Sequence, residues 1–235
     1  MGNSAVKPLA LLIPGLDGTG ELFYRQQELL ARSHRVRPWN YGRSGHCDLQ
    51  ELTVRLGEAT GDEPPGSILV VAESFGGLVA LNYVLLYPLR VRRLILVNSF
   101  PYYRRRLRIH AACGLAPLLQ LRTVRSLRDY LIDRILSREG IRPEDRRRIR
   151  NIMTRIDRAG YRRRLRIILQ ADLRPRLPEI AVPVVLLAAQ KDRIVPAVAE
   201  AEFMASRIPG ACMRTFANAG HALLLTPGVS LLDYL

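Results

Sequence analysis

Ser74, Asp192 and His221 are the residues whose types and order could together carry out nucleophilic catalysis. A serine hydroxyl is a weak nucleophile at neutral pH. An imidazole within reach can take its proton during attack on a carbonyl and return it to the leaving group. A carboxylate behind the imidazole fixes its tautomer and stabilises the imidazolium. Ser74 lies in Ala72-Glu73-Ser74-Phe75-Gly76, a near match to G-x-S-x-G with Ala72 in the first glycine position. Each residue also has a plain reading. Ser74 could be an ordinary turn serine, and Asp192 could simply cap or pair with Lys191 or Arg193.

The surrounding elements favour the chemical reading. An apolar β-branched run over 67–72 stops at Glu73-Ser74-Phe75-Gly76-Gly77, and a helix-forming apolar run over 78–87 follows at once. That is strand, sharp turn and helix, a turn that strains the backbone at its apex and pushes the serine hydroxyl out above the sheet. Val182–Gln190 reads as a buried strand ending at Lys191-Asp192, and a short strand over 213–216 precedes Ala217-Asn-Ala-Gly-His221. Each candidate thus follows a strand, where a doubly wound sheet places its ligand crevice. The spacing predicts further strands over 8–13, about 34–39 and 91–97. It predicts helices over about 21–32, 48–60, 75–87 and 197–207, and a final helix after Pro227. Strands alternating with helices predict an α/β fold with a mostly parallel sheet.

Pro14-Gly-Leu-Asp-Gly-Thr-Gly20 is a glycine-rich loop directly after the first strand. This loop, ESFGG at 73–77 and the order Ser, Asp, His together resemble the α/β-hydrolase superfamily of esterase/lipase type. The resemblance covers about residues 8–100 and 180–235. PGLDGTG with ESFGG is similar to the hydrolase part of the plant phytyl-ester-synthase-like esterase/lipase/thioesterase proteins, whose acyltransferase-like domain has no counterpart in this sequence. The resemblance implies Ser74 as nucleophile, His221 as base and Asp192 as acid. It implies an oxyanion hole from the backbone N–H groups of Leu16 and Phe75, with Gly15 and Asp17 beside the substrate. Pro14-Gly15 stands where many relatives have His-Gly, a change that leaves the backbone donors available. Asp17 also reads as an acceptor bracing its own loop.

No cofactor or metal is expected. His34, His46 and His110 are scattered without metal-ligand spacing and read as surface or supporting residues. Ser44, in Tyr41-Gly-Arg-Ser-Gly45, reads as turn chemistry. Cys47, Cys113 and Cys212 are spread without motif spacing and suggest reduced thiols in a cytoplasmic protein. No apolar run approaches the ~18 residues of a membrane-spanning helix, and the early first strand leaves no room for a signal peptide.

The charge is concentrated. Residues 102–176 hold 22 arginines and 7 acidic residues, so this stretch carries the whole formal charge of +15. The predicted organisation is a hydrolase core over 1–101 and 177–235 with an arginine-rich helical cap inserted over 102–176. Val124, Leu127, Leu131 and Ile135 form one apolar stripe, and Ile149, Ile152, Met153 and Ile156 a second, after a helix start at Pro143-Glu144-Asp145. Both read as amphipathic helices with an apolar underside and a basic outside, and Leu115, Leu118 and Leu119 are expected to face the pocket. The basic face is either a solvated surface in an arginine-biased sequence or a docking surface. The docking partners it would suit are an anionic lipid surface, with peripheral membrane association, and an acidic acyl-carrier protein. No nucleic-acid-binding motif accompanies the arginines, so nucleic acid is not an expected partner.

The resulting expectation is a serine hydrolase cleaving carboxylic esters or thioesters of a lipophilic acyl substrate through an acyl-enzyme. Acyl transfer to an alcohol by the same triad, and a non-catalytic binding module on the same fold, are the alternatives.

Overall fold

The computed structural model describes residues 7–42, 48–115 and 141–235. Six parallel strands form one sheet in the order β2-β1-β3-β4-β5-β6. They are β1 (Leu9–Ile13), β2 (Arg35–Pro38), β3 (Ile68–Glu73), β4 (Val91–Val97), β5 (Val184–Ala189) and β6 (Cys212–Phe216). The connecting helices are α1 (Tyr24–Leu30), α2 (Leu49–Ala59) and α3 (Gly76–Leu86), then α4 (Arg106–Leu115), α5 (Pro143–Arg155), α6 (Arg158–Gln170) and α7 (Ala197–Ala205). Every residue of β1 and β3 is buried. Continuous apolar runs such as LALLI and ILVVA suit strands covered on both faces, and helices cover both faces of this sheet.

From β1 the sheet is extended to one side by β2 and to the other by β3. The loops leaving β1 and β3 therefore part at a topological switch point, where such sheets form a crevice at the carboxyl ends of the strands. Ser74 follows β3 directly, and the Pro14–Gly20 loop follows β1.

The helices between β4 and β5 are attached to this frame by both apolar and ionic contacts. Leu165, Ile167 and Ile168 of α6 belong to the same buried cluster as β1, β3 and β5. At the start of α5, Arg25 grips Asp145 with Nε and Nη2 at 2.9–3.1 Å. Arg155 pairs with Glu21 at 2.9 Å, and the Arg148 guanidinium lies 3.9 Å from the centre of the Tyr24 ring. The α5 stripe turns inward as its spacing implies: Ile149 and Ile152 are buried. On α6, Arg158, Arg162 and Arg166 are exposed but Arg164 is buried. The stripe at 124–135, the side chain of Leu115, and Leu118 and Leu119 lie outside the described residues, as do Ser44, His46 and Cys47.

Two elements differ from the sequence reading. Residues 21–23 form a 3-10 turn before α1 rather than its first helical turn. After Pro227 there is only a 3-10 turn at Leu231–Tyr234, because Gly228 at φ 81° and extended Ser230 hold the backbone out of the helical region until Leu231.

Candidate active site

The nucleophile candidate sits on a strained turn that its neighbours over-determine. Ser74 has φ 54°, one of two non-glycine residues with positive φ among the described residues. Such a conformation costs of order 1–3 kcal/mol and persists only when surrounding contacts hold it. Here the Ser74 N–H donates to Val97 O at 2.9 Å, and the Ser74 carbonyl accepts from Gly77 N and from Ser99 Oγ, the latter at 2.8 Å. The turn also requires Gly76. A Cβ there would lie 2.4 Å from the Ile13 carbonyl oxygen and 2.6 Å from that of Pro14, both immovable backbone. The glycine thus lets the start of α3 approach the loop after β1.

The base and acid candidates meet directly. His221 Nδ1 lies 2.7 Å from Asp192 Oδ2. The other carboxylate oxygen, Oδ1, accepts from the N–H groups of Ile194 and Val195 at 2.8 and 3.0 Å. Those two donors aim the carboxylate at the imidazole. Burial lowers the proton affinity of His221, but the charge and hydrogen bond of Asp192, with the charge of Glu73, outweigh it and raise its pKa. Ser74 and His221 line the same cavity. No hydrogen bond joins the serine hydroxyl to the imidazole among the described contacts, a looseness common in unliganded sites.

The loop after β1 is gripped at successive carbonyls. Pro14 O accepts from Tyr41 Oη at 3.0 Å, and Gly15 O from Gly18 N at 3.2 Å. Leu16 O accepts from Arg164 Nε and Nη2 at 3.1 and 2.9 Å. The N–H groups of Leu16 and Phe75 make no hydrogen bond to any described residue. Gly15 lies against Ser74, where an added Cβ would be 3.4 Å from the serine Cβ. Asp17 braces its own loop, accepting from Thr19 N at 3.0 Å and Thr19 Oγ1 at 2.7 Å, and it also reaches the cavity wall.

The cavity is an open cleft with roughly 830 Å³ of empty space, part of it continuous with solvent. Its floor holds Ser74, His221, Asp17 and Glu73, while Ile149 and Met153 of α5 and Tyr161 of α6 form part of the wall. Leu16, Leu22 and Ile194 add further apolar surface. His34 and His110 take no part in it. His34 sits at the opposite end of the strands, just before β2, with its Nδ1 2.9 Å from Ser33 Oγ.

Three residues without a sequence assignment matter here. Asn98, at φ 45°, donates through Nδ2 to the carbonyls of Gly220 and His221 and accepts through Oδ1 from Ala189 N. It stitches the His221 loop to the end of β5. A polar Asn-Ser pair directly after a buried strand was the available signal. Glu73, beside the nucleophile, is buried, and no described group donates a hydrogen bond to it. Burial pushes its carboxyl up to about 7, against the pull of His221, with Asp17 and Asp192 adding to the rise. Arg164 is the third.

Comparison with known proteins agrees with this architecture. A family model described as the alpha/beta hydrolase family matches residues 10–231. A pimeloyl-[acyl-carrier protein] methyl ester esterase of Nitrosomonas europaea is 31% identical over 205 residues, covering 83% of this chain and 80% of the relative. Polyketide synthase ThaQ of Burkholderia thailandensis is 27% identical over 94% of this chain, which spans only 11% of that protein. Among solved structures, an esterase from Exiguobacterium antarcticum superposes with a TM-score of 0.81 at 19% identity, covering 94% of this chain and 87% of the other. By the extent of the family match and the level of identity, the chain belongs to the alpha/beta hydrolase family, esterase type.

Proposed function

We propose that the protein is a serine esterase that hydrolyses a carboxylic ester on an acyl chain through an acyl-enzyme at Ser74. The observation that carries this reading is the 2.7 Å contact of His221 with an aimed, buried Asp192 carboxylate, in the cavity that also exposes Ser74. In this reaction Ser74 Oγ attacks the ester carbonyl as His221 Nε2 takes its proton. The N–H groups of Leu16 and Phe75 receive the oxyanion, a contribution of about 3 kcal/mol per donor in comparable sites. The imidazolium returns the proton to the leaving alcohol. Water then enters, His221 removes its proton, and the acyl-enzyme is hydrolysed.

The inserted helices serve as a cap over this centre. Ile149, Met153 and Tyr161 bring apolar surface to the cavity, which suits an acyl chain. Each buried methylene contributes roughly 0.8 kcal/mol. The proposed carrier of that chain is an acidic acyl-carrier protein. The name of the Nitrosomonas europaea relative and the exposed arginines of α5 and α6 support this partner. Among the described residues, no helix is long and apolar enough to cross a membrane.

The test pairs covalent labelling with turnover. Wild-type protein should take up one fluorophosphonate and cleave medium-chain esters. Ser74→Ala should retain its circular dichroism, lose the label and lose turnover. Equal labelling of the two proteins would remove Ser74 as nucleophile.

A further inference from the structure

We infer that Arg164 is a positioning residue through which the inserted helix α6 holds the oxyanion loop in its working conformation. The inference rests on the proposed role of Leu16 as an oxyanion donor. Arg164 is buried, yet its hydrogen bonds go to main-chain carbonyls: Nε and Nη2 donate to Leu16 O, and Nη2 approaches Asp17 O at 3.4 Å. A buried cation directed at backbone carbonyls is a costly arrangement, and its partners show what it secures. The carbonyl and the N–H of Leu16 flank one Cα. Fixing the carbonyl direction therefore removes the freedom of the chain just beyond that N–H. Tyr41 Oη on Pro14 O and the Gly15–Gly18 turn secure the chain on either side. The loop's carbonyls are thus turned outward into donors, and the Leu16 N–H is left without a described acceptor.

The seat for the guanidinium is built from both sides. Gly18 lies directly against it, and a Cβ at that position would come within 2.7 Å of the Arg164 Cζ. Gly160, one helical turn before Arg164, would place a Cβ 2.9 Å from Nη1. The guanidinium also lies 5.5 Å from the centre of the Tyr41 ring, and the Tyr41 hydroxyl reaches the same loop at Pro14. No other described arginine of the inserted helices is buried to this degree. Preorganised donors contribute because they need not reorganise as charge develops. A loop held only by its own turn would have to be ordered in each catalytic cycle.

The experiment compares the full-length wild type with Arg164→Met, which keeps a long apolar stem and removes every donor, and with Arg164→Lys, which keeps the charge and loses the two-point grip. Three quantities are read: kcat and KM on a soluble ester, inhibition by a trifluoromethyl ketone, and amide hydrogen exchange. Arg164→Met should lower kcat ten- to a hundredfold with KM changed less than about threefold. Its affinity for the ketone, whose adduct carries an oxyanion, should fall by a similar factor. Exchange at Gly18, whose N–H donates to Gly15 O, should quicken at least tenfold while β1 and α3 keep their protection. Arg164→Lys should fall between the two, and it supplies the same measurements if the methionine variant does not fold. A folded variant with wild-type kcat, ketone affinity and loop exchange would overturn the inference. The exchange readout is independent of the chemistry. Unchanged exchange sinks the clamp alone, whereas a wild type that Ser74→Ala leaves equally active sinks the catalytic reading alone.

Discussion

Asn98 Nδ2 donates to the backbone carbonyl of His221 at 2.9 Å, from a residue just past β4 to a loop just past β6. The same side chain takes the Ala189 N–H at 2.8 Å, so one amide joins the ends of three strands. Asn98→Ala should strand a buried N–H and two carbonyls and leave alanine at φ 45°. A loss of about 2–4 kcal/mol in urea unfolding is expected. The His221 loop should also shift, lowering kcat roughly ten- to a hundredfold with little change in KM. A variant with wild-type stability and kcat would show that the loop is held by other contacts.

Asp192→Asn gives a sharper test of the acid. Its Oδ1 is engaged by two backbone N–H groups, so an asparagine would keep its oxygen there and turn its NH₂ toward His221 Nδ1. That arrangement requires Nδ1 as acceptor and places the ring proton on Nε2, where the base must be free. In comparable triads the change lowers kcat by about 10⁴ without disturbing geometry. Steady-state kinetics with a matched crystal structure would check it. A decrease of less than about tenfold would assign the orienting role elsewhere.

Glu73 predicts a pH-dependent stability. Its carboxyl is raised to about 7, chiefly by burial, so the folded state holds a proton that the unfolded chain releases near 4.5. The unfolded state binds fewer protons in that window, and stability therefore falls as pH rises through it. His221, also raised, and in part by the charge of Glu73, loses its contribution as pH climbs above the ordinary histidine value, and that contribution should be smaller in the variant. Glu73→Gln should be more stable than wild type at about pH 8, by up to about 3 kcal/mol, with the difference shrinking toward pH 4. Urea unfolding across that range is the measurement. A difference independent of pH would mean that the Glu73 carboxyl binds its proton equally well in the folded and unfolded states.

The basic face predicts a separation of docking from chemistry. Arg147 of α5 and Arg158, Arg162 and Arg166 of α6 are exposed, and no ion pair is found for them among the described residues. Reversing all four to glutamate should weaken binding of an acidic acyl-carrier protein roughly a hundredfold at low salt. Screening should abolish most of that difference at about 0.5 M salt. Turnover of a small soluble ester should stay within about twofold of wild type. No binding by the wild type at low salt would leave the face as composition.

What the sequence determined by itself was the set of strands, the strained turn and the chain order of the candidate triad. Short apolar β-branched runs bounded by turn residues suit strands covered on both faces, and Gly76 is legible because a turn this tight excludes a Cβ. Asp192 stood out as the acid candidate because it lies in the loop just past β5. The spacing at Ile149, Ile152 and Met153 likewise fixed which face of α5 turns inward. Only the tertiary structure decided what joins those parts. Asn98 meets His221 across 123 residues of chain, and Arg164 meets Leu16 across 148. No local period or spacing encodes such contacts. Glu73 read as an unremarkable member of the serine motif until burial beside Asp17 and His221 set its charge. In α6, Arg158, Arg162 and Arg166 lie on a solvent face, but Arg164 points at a loop whose carbonyls need donors, and that need exists only once β1 and the inserted helix are packed together.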